Sequence, residues 1–248
     1  VVFLSVDQMR PDYFERYGHL FTGGFKRLYQ QGVVYTNADL NYSASETGPG
    51  HATLGTGCYP GKSGILGNEW IDPVTKKTIY CVEDSLAQKV EGDGGGFSPR
   101  NLVVPAIGDW LKEKSKKSKV ISVSSKDRAA ILMGGLKADY VFWYGKKNGA
   151  MVTSDYYMKS LPVWAKAYNV SGWIDKNVPD AWTKSLPESV YAAIGPDEFS
   201  AEQKWGENTS FPHVFTPGKK TEQIMGTPYG DFFVIDFAIT ALKAEKLG

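Results

Sequence analysis

The sequence predicts an α/β domain with a mostly parallel sheet flanked by helices, into which an aromatic-rich segment is inserted. Short β-branched apolar runs, such as residues 1–6 and 120–123, are typical of strands that are buried on both faces of a parallel sheet. Segments with helical periodicity follow these runs. From about residue 144 to residue 217 the composition changes to aromatic, proline-rich and polar, which indicates an insertion.

The elements can be justified in chain order. The first strand ends at Asp7, where a proline-containing segment breaks it, and apolar residues at positions 14, 20, 25 and 28 indicate helical segments before a second strand at 33–35. A helix is predicted over residues 47–54, with Pro49 in its first turn, where proline is favoured. The glycine-rich residues 92–96 are predicted to form a connecting loop.

The second half of the chain adds further helices and one more strand. Residues 106–116 show helical periodicity with a lysine-rich end, residues 120–123 form a buried strand, and residues 232–247 resume a strong helical pattern. We therefore divide the chain into residues 1–143 as the N-terminal part of the core, 144–217 as the insertion, and 218–248 as a return to the core.

The composition excludes several classes of protein. Hydrophobic residues make up 42% of the 248 residues and charged residues 22%, and charges interrupt the apolar runs, which excludes a polytopic membrane protein. The chain has 28 Lys and Arg against 27 Asp and Glu. No overall field therefore attracts nucleic acid or an anionic membrane, and we expect neither as a partner.

The carboxylate of Asp7 directly follows the first predicted strand. Ligands of open parallel sheets bind outside the carboxyl ends of the strands, so Asp7 is a candidate metal ligand. A carboxylate in this position can equally cap a nearby helix. The residue alone leaves both interpretations open.

Thr47 begins the next predicted helix and is followed by Gly48, Pro49, Gly50 and His51. The free N–H groups and the dipole of a helix N-terminus favour an anion, and the glycines leave room for a substrate. A threonine hydroxyl is a poor nucleophile near neutral pH, so catalysis would require a metal that lowers its pKa. The alternative is an ordinary N-cap. We expect His51 to support this region by packing and hydrogen bonding.

Two further motifs supply groups that bind anions. Asn68 lies in a tight turn, where its amide can donate to a phosphoryl oxygen or serve only the backbone of the turn. Lys126 and Arg128 follow the strand at 120–123 and, in extended backbone, would share one face and hold one dianion. Asp127 would then face the other way. Alternatively, this charged turn is ordinary solvent-exposed surface without a binding role.

The four motifs together resemble a known family. Their order is Val-Asp-Gln-Met-Arg-Pro-Asp-Tyr, Thr-Gly-Pro-Gly-His-Ala-Thr, Gly-Ile-Leu-Gly-Asn-Glu-Trp and Lys-Asp-Arg. This order resembles the phosphate-irrepressible alkaline phosphatases of the type I phosphodiesterase/nucleotide pyrophosphatase branch of the alkaline phosphatase superfamily. Residues 152–157 and 161–164 also look like the insert of that family, so the resemblance covers essentially the whole chain and implies an alkaline phosphatase-like fold.

The resemblance implies a role for each candidate residue. Asp7 would bind zinc, Thr47 would be the zinc-bound nucleophile, and Asn68, Lys126 and Arg128 would bind phosphoryl oxygens. Two Zn²⁺ ions would assist hydrolysis of small phosphate monoesters through a phosphothreonine intermediate. The resemblance also suggests a periplasmic or secreted protein. Because the Lys-Asp-Arg element looks different or absent in related phosphodiesterases, it favours phosphate monoesters.

The resemblance also implies zinc ligands that this sequence lacks. They would lie in an Asp-x-x-x-His element, an Asp-His pair and a late histidine, but the histidines of the chain are His19, His51 and His213, and none is in such a motif. We therefore expect a fragment whose remaining ligands lie beyond residue 248, in a C-terminal half that can associate as a separate segment. The chain alone is expected to be inactive.

Other functions are considered alongside this one. A phosphodiesterase or nucleotide pyrophosphatase of the same superfamily is the nearest alternative. A non-catalytic fragment that binds phosphate-bearing ligands is a second. A sulfatase would need a Cys or Ser in a C/S-x-P-S-R motif, and neither Cys58 nor Cys81 lies in one.

Overall fold

The computed structural model describes residues 1–43, 45–92 and 95–248. The helices are α1 Asp12–Tyr17, α2 Gly24–Gln31, α3 Thr47–Thr56, α4 Pro60–Ser63, α5 Ile107–Lys114, α6 Asp127–Gly134, α7 Val163–Asn169, α8 Trp173–Asn177, α9 Glu188–Ala192, α10 Lys220–Gln223 and α11 Pro228–Ala244, with short 3-10 helices at Gly18–Leu20 and Ile224–Gly226. The strands are β1 Glu69–Ile71, β2 Thr78–Tyr80, β3 Glu83–Val90, β4 Gly95–Phe97, β5 Ile121–Ser124, β6 Tyr140–Gly145, β7 Ala150–Ser154, β8 Ala181–Trp182 and β9 His213–Val214.

The central sheet has the strand order β4-β3-β7-β6-β5. The predicted α/β class is confirmed, but the prediction of a mostly parallel sheet is wrong. Among the described residues of this sheet, β5 and β6 pair in parallel, whereas β6 with β7, β7 with β3, and β3 with β4 are antiparallel. For β6 with β7 the reason is the length of the connection. A tight turn joins β6 to β7, and a parallel pair requires a much longer crossover.

The core lies on both faces of β6. Its residues 141–144 are all buried, and successive side chains of a strand point to opposite faces. Val141 and Trp143 pack in one apolar cluster with residues of α3 and α6, whereas Phe142 and Tyr144 pack in another with residues of α7 and α11. Helices therefore cover both sides of the strand at the centre of the molecule.

Helix α3 packs closely against α6. A Cβ atom at Gly55 would lie 2.9 Å from the backbone oxygen of Leu132, so glycine permits this contact. The helix begins at Thr47 with Pro49 in its first turn, as predicted, and ends at Gly57, whose φ of 69° is favourable for glycine. The contact fixes the N-terminus of α3 relative to the sheet.

The strands predicted at residues 1–6 and 33–35 are wrong. The described backbone forms no strand at either place, and none of residues 1–43 is buried. Phe3 and Tyr35, for example, are 53% and 82% exposed. An apolar, β-branched run forms a strand only when a neighbouring strand accepts its hydrogen bonds, and no described strand pairs with either segment.

The other local predictions fare better. The helices predicted at 106–116 and 232–247 correspond to α5 and α11, and the strand predicted at 120–123 corresponds to β5. The predicted glycine-rich loop falls partly outside the described residues, at Asp93 and Gly94, while Gly95 and Gly96 begin β4. The boundary predicted after residue 143 falls within β6, and the division into domains stays a prediction.

Candidate active site

The start of α3 brings Thr47 to Asp7. The N-cap residue is Glu46, in extended backbone, and Thr47 is the first helical residue. The hydroxyl of Thr47 is therefore not used as an N-cap, and it donates to Oδ2 of Asp7 at 3.2 Å. In the described hydrogen bonds Asp7 accepts from the side chains of Thr47 and Lys126, so it does not cap a helix either.

His51 lies one turn further along α3 and is buried. Its Nδ1 is 2.8 Å from the carbonyl oxygen of Thr47 and its Nε2 is 3.3 Å from Oγ of Ser5. Because a carbonyl oxygen only accepts, we assign the proton to Nδ1, which leaves Nε2 to accept from Ser5. His51 thus holds the segment that carries Asp7 against the helix that carries Thr47, which confirms its predicted supporting role.

The amide of Asn68 has a fixed orientation. Its Oδ1 accepts the backbone N–H of Gly48 at 2.7 Å, and its own backbone N–H donates to Oε2 of Glu46 at 2.6 Å. Because the oxygen is used in this way, the NH₂ group remains as the donor of the side chain. A Cβ atom at position 48 would lie 3.2 Å from Oδ1 of Asn68 and from Sγ of Cys81, so Gly48 lets the turn approach this closely.

Lys126 and Arg128 reach the site from the start of α6. Lys126 is the N-cap residue in extended backbone, and its Nζ forms an ion pair with Asp7 and lies 3.4 Å from Oγ1 of Thr47. Arg128 is already inside α6, so the prediction that both residues lie in extended backbone is wrong. Helix formation directs the guanidinium to Tyr80, whose hydroxyl oxygen accepts from Nη1 at 3.1 Å.

Tyr80 and Asp127 form a network around Arg128 that the sequence did not predict. The hydroxyl of Tyr80 donates to Oδ1 of Asp127 at 2.5 Å and accepts from Arg128. Asp127 therefore turns toward the network, contrary to the prediction that it faces away. Nε of Arg128 is buried and has no hydrogen-bond partner among the described residues. No local signal could reveal this network, because Tyr80 is distant from Arg128 in sequence.

Burial and the charges of the site shift the pKa of Asp7 and of Tyr80. Partial burial raises the pKa of Asp7, but the hydrogen bond and the charge of Lys126 outweigh it, so that this pKa lies below its usual value. Burial and, next, the charge of Asp127 raise the pKa of Tyr80 well above its usual value. Asp7 is thus ionised and Tyr80 neutral near pH 7.

The described residues do not by themselves form a complete metal centre. No group of three or more His, Cys, Asp or Glu side chains in them is placed to hold a metal ion. Cys58 and Cys81 are free thiols. What the site does offer is a hydroxyl at a helix N-terminus, a carboxylate, an amide donor and two cations.

Comparison with known proteins identifies the family. The model of the family described as type I phosphodiesterase / nucleotide pyrophosphatase matches residues 1–188. The chain belongs to this family. The resemblance drawn from the four motifs is thereby confirmed.

Individual curated proteins are similar over the whole chain. Alkaline phosphatase PhoV of Synechococcus elongatus is 38% identical over 256 residues, which cover 100% of this chain and 46% of that protein. Alkaline phosphatase PafA of Elizabethkingia meningoseptica is 34% identical and a protein of Myroides odoratus named calcium-transporting ATPase is 39% identical, each with 47% of its length covered. This member therefore spans about half the length of the curated relatives it matches.

Solved structures show the same fold. The crystal structure of wild-type alkaline phosphatase PafA superimposes with a TM-score of 0.91 at 32% identity, covering 98% of this chain and 48% of that one. A PafA mutant, in which one threonine, one asparagine, one lysine and one arginine are replaced, gives a TM-score of 0.93. Within the described residues, no helix is both long and apolar enough to cross a lipid bilayer.

Proposed function

We propose that the protein containing this chain hydrolyses phosphate monoesters, with Thr47 as the nucleophile. One observation carries the proposal: the Thr47 hydroxyl, free of any capping role, touches Asp7 and lies 3.4 Å from the ammonium group of Lys126. Membership of a hydrolytic family and relatives named alkaline phosphatases support it. Further support comes from the PafA mutant, whose substituted threonine, asparagine, lysine and arginine have the order of Thr47, Asn68, Lys126 and Arg128.

The reaction would proceed in two displacements. Oγ1 of Thr47 attacks the phosphorus, the bond from phosphorus to the ester oxygen breaks, and the leaving group departs as the alcohol. Water then attacks the phosphothreonine, the bond from phosphorus to Oγ1 breaks, and inorganic phosphate leaves. The departing alcohol takes up the proton that Thr47 loses. The attacking water then supplies the proton that restores the Thr47 hydroxyl. The NH₂ group of Asn68 and the dipole of α3 would stabilise charge on the phosphoryl oxygens.

The donors present fit part of a zinc site. Oδ2 of Asp7 and Oγ1 of Thr47 are 3.2 Å apart, close to the ~3.3 Å expected between neighbouring ligands of a tetrahedral ion with bonds of ~2 Å. Zinc, when bound, lowers the pKa of a hydroxyl and polarises phosphoryl oxygens. We propose two Zn²⁺ ions, with the remaining ligands supplied beyond residue 248. Metal analysis should find two zinc ions per full-length protein and fewer than one per 248-residue chain.

Lys126 and Arg128, here named the phosphoryl clamp, support monoesters over diesters. A monoester dianion presents a charged oxygen that is esterified in a diester, so two cations stabilise the monoester more strongly. The nearest alternative, a phosphodiesterase or nucleotide pyrophosphatase, needs no such pair. Hydrolysis of 4-nitrophenyl phosphate and of bis(4-nitrophenyl) phosphate by the full-length protein separates the two functions.

The decisive variants are Lys126→Ala and Arg128→Ala, with Lys116→Ala as an exposed control. Loss of one such donor should lower kcat/KM for the monoester at least about 10²-fold and affect the diester less. The control should leave both unchanged. If the diester is the better substrate and the variants spare monoester turnover, the protein is a phosphodiesterase.

The non-catalytic alternative is tested by Thr47→Ala. This variant should abolish turnover of 4-nitrophenyl phosphate and retain binding of inorganic phosphate, which calorimetry measures. A full-length wild-type protein that binds phosphate with the clamp but releases no nitrophenol would be a binding protein instead. We also propose a periplasmic or secreted location, which fractionation of the source cells checks.

A further inference from the structure

A cavity of about 890 Å³ lies beside the phosphoryl clamp. Lys126 and Arg128 line it together with Lys89, Lys146 and Lys147. The cavity lining includes neither Thr47 nor Asn68. The cavity is therefore continuous with the clamp but separate from the nucleophile.

The topology of the sheet explains why these cations meet. β5 and β6 are parallel, and β3 runs in the same direction as β6 because both are antiparallel to β7. The carboxyl ends of the three strands therefore lie at one edge, with neighbouring strands about 4.8 Å apart. Lys89 is the next-to-last residue of β3, and Lys146 and Lys147 directly follow β6.

Positive charge dominates the lining. Five cationic side chains face two carboxylates, Glu91 and Asp127, and Asp127 already accepts the hydroxyl of Tyr80. The closest cation to Glu91 is Lys166, at 3.9 Å. Within the described residues, Lys89, Lys146 and Lys147 take part in no ion pair, although Lys89 lies over the ring of Phe97.

The turn that carries two of these lysines is well defined. The N–H of Gly149 donates to the carbonyl oxygen of Gly145 at 2.9 Å, and Gly149 has a φ of 65°, which favours glycine. Asn148 donates to the backbone oxygen of Glu91 at 2.9 Å, which ties the turn to the end of β3. A well-defined backbone thus holds Lys146 and Lys147 in the lining of the cavity.

We propose that this cavity binds a second phosphate group carried by the leaving group. The preferred substrates would then be bisphosphates, which carry two separate phosphate monoester groups. The proposal rests on the proposed function. Lys126 and Arg128 alone suffice to bind the phosphoryl group that is transferred. An uncharged leaving group would leave Lys89, Lys146 and Lys147 without an anionic partner. A second phosphate in the cavity would form charge-assisted contacts with Lys89, Lys146 and Lys147.

Fructose 6-phosphate and fructose 1,6-bisphosphate are suitable probes, because they differ by one phosphate group. With the full-length protein, we expect KM for the bisphosphate to be roughly tenfold below that for the monophosphate. The double variant Lys146→Ala/Lys147→Ala should raise KM for the bisphosphate to that for the monophosphate and leave kcat unchanged. Lys116→Ala/Lys117→Ala, an exposed pair outside the cavity, is the matched control and should change neither KM.

Calorimetry with the full-length Thr47→Ala variant measures binding without turnover. The bisphosphate should bind roughly tenfold more tightly than the monophosphate, and Lys146→Ala/Lys147→Ala should remove this difference. The proposal would be overturned if the two lysine double variants had equal effects on KM and affinity for the bisphosphate, or if neither had an effect. Hydrolysis of fructose 6-phosphate in that case would still uphold the proposed function. Lysine-dependent binding of the bisphosphate without hydrolysis of either ester would overturn the proposed function and support the cavity as a phosphate site.

Discussion

Residues 1–43, here named the N-terminal segment, contain no buried side chain, whereas β6 alone buries four consecutive residues. The N-terminal segment and the helices that pack around β6 both supply groups to the candidate site. Asp7 comes from the N-terminal segment and is placed by its contacts with Thr47 and Lys126, together with the bond from Ser5 to His51. Thr47 and Lys126 come from helices that pack on the central sheet.

The comparison shows that one site can combine side chains held by a packed core with side chains held only by polar contacts. Where the backbone is fixed by a packed core, as at the start of α3, the position of a side chain follows from the fold. Where the core does not reach, as at Asp7, the position depends on a few polar contacts. Substitutions in the 248-residue chain test this comparison.

The largest effect is expected from Phe142→Ala in the core. Phe142 is fully buried between β6 and the helices α7 and α11, and its removal leaves a cavity, so the free energy of unfolding should fall by about 4 kcal/mol. Phe3→Ala in the N-terminal segment should change it by less than about 0.5 kcal/mol. Urea unfolding measures both, and a similar loss for the two variants would contradict the comparison.

The next effect concerns a buried carboxylate that accepts backbone donors. Asp109 is fully buried and accepts the N–H groups of Ala106, Leu136 and Lys137 at 2.6 to 3.0 Å. Asp109→Ala leaves these donors unpaired and should cost about 3 kcal/mol in thermal or urea unfolding. Glu15→Ala, on the exposed helix α1, is the control and should have no measurable effect. Stability unchanged in both would show that water replaces the lost acceptor.

Close helix packing gives a smaller effect. Gly55→Ala would press a methyl group against the backbone of Leu132 and should destabilise the chain by about 2 kcal/mol. Gly50→Ala, on the same helix but with its nearest neighbour 4.0 Å away, should stabilise it by about 0.5 kcal/mol. Opposite signs in calorimetric unfolding are the expected result. Equal signs would mean that α3 does not approach α6 as closely as described.

The smallest effect depends on pH. Burial raises the pKa of Asp84, but hydrogen bonds from Ser98, Leu86 and Arg100 outweigh it, so the folded-state pKa is below its usual value. Ionised Asp84 therefore stabilises the fold above the unfolded-state pKa of about 3.9, and this stabilisation is lost as pH falls through the lower folded value.

Asp84→Asn should accordingly cost about 1 kcal/mol at pH 7. The cost should shrink as pH falls below about 3.9 and through the lower folded-state pKa of Asp84. Unfolding measured at several pH values checks this result. The equivalent change at an exposed carboxylate of the N-terminal segment, Asp39→Asn, should cost nothing measurable at any of these pH values. A cost of Asp84→Asn that stays constant with pH would rule out the charge as its source.

The sequence predicted those parts of the fold whose signals lie within a few neighbouring residues. The helix from Thr47 carries its own start signals, a proline in the first turn and a glycine after the last, and the structure has it at that place. The strands predicted at residues 1–6 and 33–35 needed partners that no local pattern reveals. The direction of the strands followed the length of the turns, which the apolar runs alone did not show.

The candidate site shows the same division. The order of the motifs predicted that Asp7, Thr47 and Lys126 lie near each other, and they do, although Asp7 follows no strand. The direction of Arg128 was not predictable from its spacing to Lys126, because the helix begins between them. The roles of Tyr80 and Asp127 depend on contacts between residues far apart in the chain.

Glu46 has a consequence for how the site can move. Its carboxylate receives the backbone N–H of Asn68, while the amide of Asn68 receives the N–H of Gly48, so the turn and the start of α3 are linked twice over a short span. A displacement of Thr47 must then carry Asn68 with it. Under the proposed function, Thr47 and Asn68 would therefore move as one unit, and any adjustment to the size of a phosphate ester would come from Lys126 and Arg128.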